Sequence, residues 1–233
     1  MRTNYGAILR LQPSDYIDGI VLREGYYESE VFDGLRPYFA PGLVLWDIGA
    51  NLGLHSLSAA RLEPDLQIHA FEPNPAMHLR LTEHARLNRA AIHCWPQALG
   101  DRDGRATLHV NAAGNPGMTT LAPWSEARYD ARVDVPLARA ETLVAQGLIP
   151  APHLIKLDVE GGEAAVLAGM GDLLRQPALR AVVFETRADL LADPTRCAIA
   201  RQLLAAGFTL QALTRNESTH HDLGNFLALR AAA

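Results

Sequence analysis

The chain has 233 residues, 48% hydrophobic and 20% charged, with a formal net charge of −5, so one globular core can form without disulfides or a structural metal. The acidic balance argues against the basic stripe that a nucleic-acid partner requires. The two cysteines, Cys94 and Cys197, make no CxxC pair, which excludes a zinc ribbon or disulfide framework and suits a reducing compartment.

Residues 1–16 lack the apolar core and small-residue cleavage site of a secretory leader, and no apolar run approaches the ~18 residues of a membrane span. A soluble, cytoplasmic chain without a membrane partner is expected, folded as a single domain over residues 1–233 with residues 1–42 as an N-terminal cap. Glu28 and Glu30 precede the first strand, placed either to close over a site or to lie on a surface acidic helix. Apolar runs suited to buried parallel strands follow at Val44–Ile48, Gln67–Phe71, Ala91–Trp95, Leu154–Leu157, Ala181–Phe184 and Phe208–Leu213. Helical spacing separates them. Pro75 opens Pro75–Arg89, where Met77, Leu81 and Ala85 step at i, i+4, i+8 and Leu79 and Leu87 widen the stripe. Gly162–Leu174 carries Ala165, Val166, Gly169 and Leu173, and Pro194–Ala206 stops at Gly207. The rhythm breaks at Gly100–Pro136, where residues 105–110 and 131–136 read as strands around a loop, a β-hairpin or flap inserted after the third parallel strand. The alternation implies an α/β, doubly wound, mostly parallel sheet with right-handed crossovers.

The densest signal is Val44-Leu-Trp-Asp47-Ile-Gly49-Ala-Asn51-Leu-Gly53-Leu-His55-Ser56, a strand entering a glycine-bearing turn and then a helix. Glycine lets backbone approach a ligand closely, and the helix start offers free N–H groups. A dinucleotide fingerprint needs glycine at its first, third and sixth positions, whereas counting from Gly49 gives Gly49, Asn51 and Leu54. This disfavours an NAD(P)-dependent oxidoreductase. Asp47 suits a cationic ligand with an amino-acid end, and can face the ammonium side of S-adenosylmethionine. The next strand ends Phe71-Glu72-Pro73-Asn74-Pro75, and Glu72 at that sheet edge can accept hydrogen bonds from ribose hydroxyls. The alternative is that Glu72 or Asn74 serves the helix that Pro75 opens.

Three ordered blocks, WDIGANLGLHS (46–56), FEPNP (71–75) and IKLDVEGGE (155–163), resemble the FkbM-type S-adenosylmethionine-dependent methyltransferases, with weaker echoes at 26–31, 97–101 and 117–121. The resemblance implies a class I methyltransferase fold, a Rossmann-like seven-stranded sheet whose last strand is antiparallel, and Gly224–Arg230 suits that strand. It further implies that Asp47, Gly49, Asn51 and Gly53 line the methionine end of the donor, that Glu72 binds ribose with Asn74 assisting, and that Ala98 and Leu99 border adenine.

Within IKLDVEG the strand period puts Lys156 and Asp158 on one face. Lys156 is the single lysine among 21 basic residues, and at the end of a strand buried on both faces its charge must be paired, with Asp158, Glu160 and Glu185 as sequence candidates. At the open sheet edge Lys156, Asp158 and Glu160 form a candidate catalytic group. Lys156 serves as base if its pKa is lowered, or steadies a developing alkoxide if it stays charged, while Asp158 touches the donor or orients the acceptor. A buried ion network without chemistry remains the alternative. Asp158 and Glu185 also offer hard oxygen ligands to Mg²⁺, without an apparent third ligand.

His55, in the first turn after Gly53, can reach the donor's methionine end or the acceptor. His69, His93 and His109 lie in apolar strand patterns and read as structural, and His220-His221 as part of a solvated loop. The expected activity is methylation of a hydroxyl on a small molecule, natural product or glycan. The rivals are a nicotinamide oxidoreductase and a donor-binding protein without turnover.

Overall fold

The computed structural model describes residues 1–111, 119–121, 129–187, 196–213 and 223–231. In chain order the first elements are α1 (Tyr16–Glu24), α2 (Ser29–Leu35), β1 (Val44–Ile48), α3 (Leu54–Leu62), β2 (Gln67–Phe71), α4 (Pro75–Asn88) and β3 (Ile92–Trp95). There follow β4 (Ala98–Leu99), β5 (Gly104–Val110), β6 (Thr119–Thr120), β7 (Ala131–Ala138), α5 (Ala140–Ala145) and β8 (Leu154–Leu157). The chain closes with α6 (Glu163–Gly169), β9 (Ala181–Arg187), α7 (Ala198–Ala205), β10 (Phe208–Ala212) and β11 (Leu223–Arg230).

Seven strands make the main sheet in the order β10-β11-β9-β8-β1-β2-β3. Only β11 runs against its neighbours, as the antiparallel last strand. Every residue of β1 and β8 is buried, which is why both read as apolar runs, each interrupted by one charged residue, Asp47 in β1 and Lys156 in β8. Alternation along β1 sends Trp46 and Ile48 into a core with α5, α6 and α7, and Leu45 into a second core with α1, α2 and α3. A fully buried side chain such as Ile48 or Phe71 contributes about 1.5–3 kcal/mol of transfer free energy.

Three local expectations change. Met77, Leu81 and Ala85 of α4 are buried, but Leu79 and Leu87 are 60% and 38% exposed, because Leu79 lies about 200° around the helix from Met77. The helix expected over 162–174 ends at Gly169, and a 3₁₀ turn over Gly171–Arg175 follows. Gly171, the first residue of that turn, has φ +52°, which breaks the α-helical path. The insertion is more than a hairpin: β5 and β7 pair antiparallel over seven residue pairs, and β4 and β6 flank them in a four-stranded sheet of order β4-β7-β5-β6. Ala98, Leu108, Val110, Val135 and Leu137 form its own small core. Pro194 and the His220-His221 loop lie outside the described residues.

The N-terminal cap is fastened by one face of α4. Arg80, His84 and Asn88 recur every fourth residue, so their side chains rise along a single edge. Arg80 Nη2 donates to Asp18 Oδ2 at 2.5 Å and to Arg10 O at 3.2 Å. His84 Nε2 accepts from Arg10 N at 3.1 Å, and Asn88 exchanges two 2.7 Å bonds with the backbone of Ile8. This clamp holds Ile17, Tyr27 and Glu28 over the carboxyl ends of the parallel strands, where they line a cavity. Among the described residues no helix is long and apolar enough to cross a membrane.

Candidate active site

The chain turns one way from β1 to β2 and β3 and then crosses to β8 and β9 on the other side, so the strand order reverses between β1 and β8. Doubly wound folds leave a crevice outside the strands at that reversal. Here it is a cavity of about 450 Å³. Its apolar lining includes Ile48, Phe71, Ala98, Leu99 and Leu137, the small sheet contributes Thr107, Leu108, His109 and Thr120 as well, and its carboxyl groups include Glu28, Glu72, Asp158, Glu160 and Glu185.

The glycine turn is shaped by close approach. Gly49 has φ +82°, and a Cβ built there would stand 1.7 Å from the carbonyl oxygen of Asp158, so the loops after β1 and β8 touch backbone to backbone. Asn51, at φ +50°, donates its N–H to Glu72 Oε2 at 2.8 Å, and Asn74 N donates to Glu72 Oε1 at 2.8 Å. Glu72 thereby ties the first turn to the second while lining the cavity. Burial pushes its carboxyl up to about 7, against the two backbone donors that favour the ionised form.

Beneath the turn lies an ion group that register creates. Asp47 on β1 is directly beside Lys156 on β8, and parallel neighbours point to the same face. Lys156 Nζ donates to Gly49 O at 3.1 Å and to Asp158 Oδ2 at 3.2 Å, and lies 3.5 Å from Asp47 Oδ1. Burial by itself lowers the pKa of the ammonium, but Asp158, Asp47 and then Glu28 outweigh it and hold it above the usual lysine value. Ser56 Oγ donates to Asp47 Oδ2 at 2.6 Å, while the buried Oδ1 makes no hydrogen bond.

After β8 the chain makes a tight loop. Glu160 takes φ +55°, in the left-handed region, and its carbonyl accepts from Thr120 Oγ1 at 2.7 Å, which joins the small sheet to the site. Glu163, in the first turn of α6, accepts from Val159 N at 3.0 Å and from Gly161 N at 3.1 and 3.2 Å. The Glu160 carboxyl is pushed up to about 8, by burial first and then by Asp158, Glu163 and Glu28. Tyr27 lies at the same end, and burial, then Glu28, Asp158 and Glu185, raise its phenol above the ordinary value.

The family model described as the methyltransferase FkbM domain matches residues 47–210, which contain the glycine turn, Glu72 and the whole β8 loop. The chain belongs to the FkbM methyltransferase family. Among curated relatives it is 29% identical over 132 residues to a hexuronic acid methyltransferase of Haloferax volcanii, covering 57% of this chain and 52% of that one. It is 33% identical over 174 residues to a 31-O-demethyl-FK506 methyltransferase of Streptomyces tacrolimicus, covering 62% and 65%. The chain thus spans between half and two thirds of the length of these relatives. The crystal structure of precorrin-6y C5,15-methyltransferase from Geobacter metallireducens GS-15 superposes with a TM-score of 0.54 at 16% identity, over 87% of this chain and 86% of that one. At such identity the likeness concerns the fold, which is that of class I methyltransferases.

Of the residues singled out in the sequence, Gly49, Asn51, Glu72, Ala98, Leu99, Asp158 and Glu160 line the cavity of this FkbM domain. Asp47, Gly53, His55, Asn74 and Lys156 stand behind its wall. Asn74 accepts from Ala76 N at 3.1 Å as the N-cap of α4, the alternative the sequence left open. Gly53 has φ +92° and starts α3 against Leu81. His55 packs edge-on against Tyr26, with ring centroids 5.5 Å apart, and burial and the Lys156 charge keep its imidazole neutral. His69 accepts from Trp95 Nε1 at 3.1 Å and stacks on His93, a structural role, but His109 faces the cavity from the small sheet. Asp158 and Glu185 both line the cavity, and among the described residues no group of three or more His, Cys, Asp or Glu is poised to hold a metal, so the Mg²⁺ option gains no third ligand. Sequence reasoning gave no role to Ser56, Glu163, Tyr27 or Thr120. Of these only Glu163 left a signal, an acid in the first turn of a helix after Gly-Gly.

Proposed function

We propose that this FkbM-family chain transfers a methyl group from S-adenosylmethionine to a hydroxyl of a small molecule or glycan. The observation that carries the reading is the cavity at the strand-order reversal, lined by a buried carboxyl group, Glu72, just after β2 and by Asp158 and Glu160 just after β8. Its residues fit the donor. Glu72 keeps a second lone pair on each oxygen for two ribose hydroxyls, and Phe71, Ala98, Leu99 and Leu137 offer an apolar slot for adenine. The carboxyl groups of Glu28, Asp158, Glu160 and Glu185 suit a ligand with a sulfonium and an ammonium.

The donor supplies a methyl on a positively charged sulfur, already electrophilic. The protein's task is alignment and removal of one proton. In this reading Lys156 acts as a charged clamp rather than a base, since three oxygens surround its ammonium and hold Gly49 and Asp158 in place. Asp47, Gly53, His55 and Asn74 shape the turn from behind. Asp158, fixed by Lys156, orients the acceptor. Glu160 takes the hydroxyl proton, because a carboxyl lifted to about 8 is a far better base once ionised than an ordinary one.

Isothermal titration with S-adenosylhomocysteine tests the class. One site per chain with micromolar affinity is expected, and no heat at millimolar concentration overturns the reading.

A further inference from the structure

The N-terminal cap delivers an aromatic side chain to the cavity, and what that ring recognises is an inference that rests on the methyl-transfer reading above. Two adjacent tyrosines stand between α1 and α2, bracketed by Gly25 at φ +83° and Glu28 at φ +51°. Tyr26 is 4% exposed and goes inward, where its ring packs 5.5 Å from that of His55, in the first turn after Gly53, and its hydroxyl lies 3.4 Å from His55 Nδ1. Tyr27 lines the cavity together with Gly49 and Asn51, with its side chain packed at the rim of the core that holds Tyr26. The anchor behind the glycine turn thus fixes its neighbour on the cavity side of that turn.

In the methyl-transfer reading ribose belongs at Glu72 and the amino-acid end at Gly49 and Asn51, and the sulfur of the donor joins the two. Besides His109 of the small sheet, Phe71 and Tyr27 are the aromatic side chains of the cavity lining among the described residues. Phe71 directly precedes Glu72 in β2 and so belongs to the ribose side. Tyr27 is the ring on the methionine side. Burial first of all raises its phenol above the ordinary value, so the side chain stays neutral at any working pH. A neutral aromatic face attracts a cation through its quadrupole, and does so more strongly where water is excluded.

We propose that the Tyr27 ring covers the charged sulfur of the donor and makes the site favour S-adenosylmethionine over S-adenosylhomocysteine. The sulfur is positive while it carries the methyl, and neutral once the methyl has passed to the acceptor oxygen and the acceptor proton to the base. An aromatic face holds the first form and gains far less from the second. The contact that retains the donor is therefore lost with the reaction, and the product leaves more readily. Changing the ring alone keeps every carboxyl group of the cavity in place, so its share in cation binding is separable from theirs.

Isothermal titration of the full chain at about pH 7 with three ligands tests this: S-adenosylmethionine, S-adenosylhomocysteine and sinefungin, which carries a protonated amine where the donor has its methylated sulfur. The wild-type protein should bind the two cationic ligands at least about tenfold tighter than S-adenosylhomocysteine. Tyr27→Leu keeps an apolar side chain against the core, and should shrink that ratio at least about threefold while its affinity for S-adenosylhomocysteine stays within about twofold of wild type. Tyr27→Phe keeps the ring and should hold the ratio within about twofold. No preference for the cations in wild type, an unchanged ratio in Tyr27→Leu, equal weakening of all three ligands there, or a ratio lost in Tyr27→Phe as well overturns the inference. Binding of none of the three by the wild-type protein overturns the methyl-transfer reading itself, so the two failures are told apart by the first titration.

Discussion

Replacing Lys156 by methionine removes one charge while keeping an unbranched apolar stem in a site that is 5% exposed. At an effective dielectric near 20, an ammonium 3.5 Å from Asp47 and 3.2 Å from Asp158 attracts each by about 5 kcal/mol before desolvation is subtracted. Asp158 keeps a third of its side chain in water and is largely rehydrated when the ammonium goes. Asp47 is not, because it is 1% exposed and its Oδ1 has no other partner. The loss therefore falls on Asp47, and breaking a buried pair from one side costs about 3–5 kcal/mol. Urea unfolding followed by circular dichroism at neutral pH should show a drop of that size. The double variant Lys156→Met with Asp47→Asn should be destabilised by at least ~1 kcal/mol less than the sum of the single changes. The pH window follows from the sign. An ammonium whose folded pKa is raised contributes fully below its unfolded value of about 10.4 and loses that contribution as pH rises through the folded value. The gap between wild type and Lys156→Met should thus stay flat from about pH 7 to pH 9. A loss under about 1 kcal/mol, or strict additivity in the double variant, would show that the pair does not hold the turn.

Gly49→Ala places a methyl 1.7 Å from the Asp158 carbonyl at φ +82°. The strained conformation alone costs about 1–3 kcal/mol, and the clash must part the loops after β1 and β8. Calorimetry should find S-adenosylhomocysteine binding weakened at least tenfold, and unchanged affinity would refute the close-approach argument. Glu160 titrates at about 8 in the folded chain, so between its unfolded value of about 4.3 and pH 8 the native state binds more protons and stability falls as pH rises. Urea curves at about pH 5 and pH 9 should show that fall in wild type and a smaller one in Glu160→Gln, whereas equal slopes would count against it. Methyl transfer to any accepted glycoside should rise with pH to a plateau above about 8 and lose that rise in Glu160→Gln.

Local chemistry made much of this molecule readable in one dimension. The apolar runs at Val44–Ile48, Gln67–Phe71 and Leu154–Leu157 match strands residue for residue, because a strand buried on both faces is apolar except where a polar side chain finds a partner, as Asp47 and Lys156 do. Pro75 after Asn74 marked a helix start for the same local reason. The three motif blocks carried the family, and the glycine spacing set the turn apart from a dinucleotide site.

Contacts that join distant segments were decided only by the fold. The sequence offered Asp158, Glu160 and Glu185 as partners for Lys156, but register across β1 and β8 supplied Asp47 as well, 109 positions away. Ser56 and Glu163 owe their roles to what they face across a turn, and Tyr27 and Glu28 reach the cavity because α4 clamps the N-terminal segment. Leu79 and Leu87 show the reverse error, apolar residues counted toward a stripe that the helix turns to solvent. The small sheet is the largest such case, since two-residue strands such as β4 and β6 exist only through pairing. What the sequence determined by itself were the strands, the glycine turn and the family, features set by neighbours along the chain. The tertiary structure alone decided which charges meet at the cavity, because Coulomb and hydrogen-bond partners are chosen by distance in space.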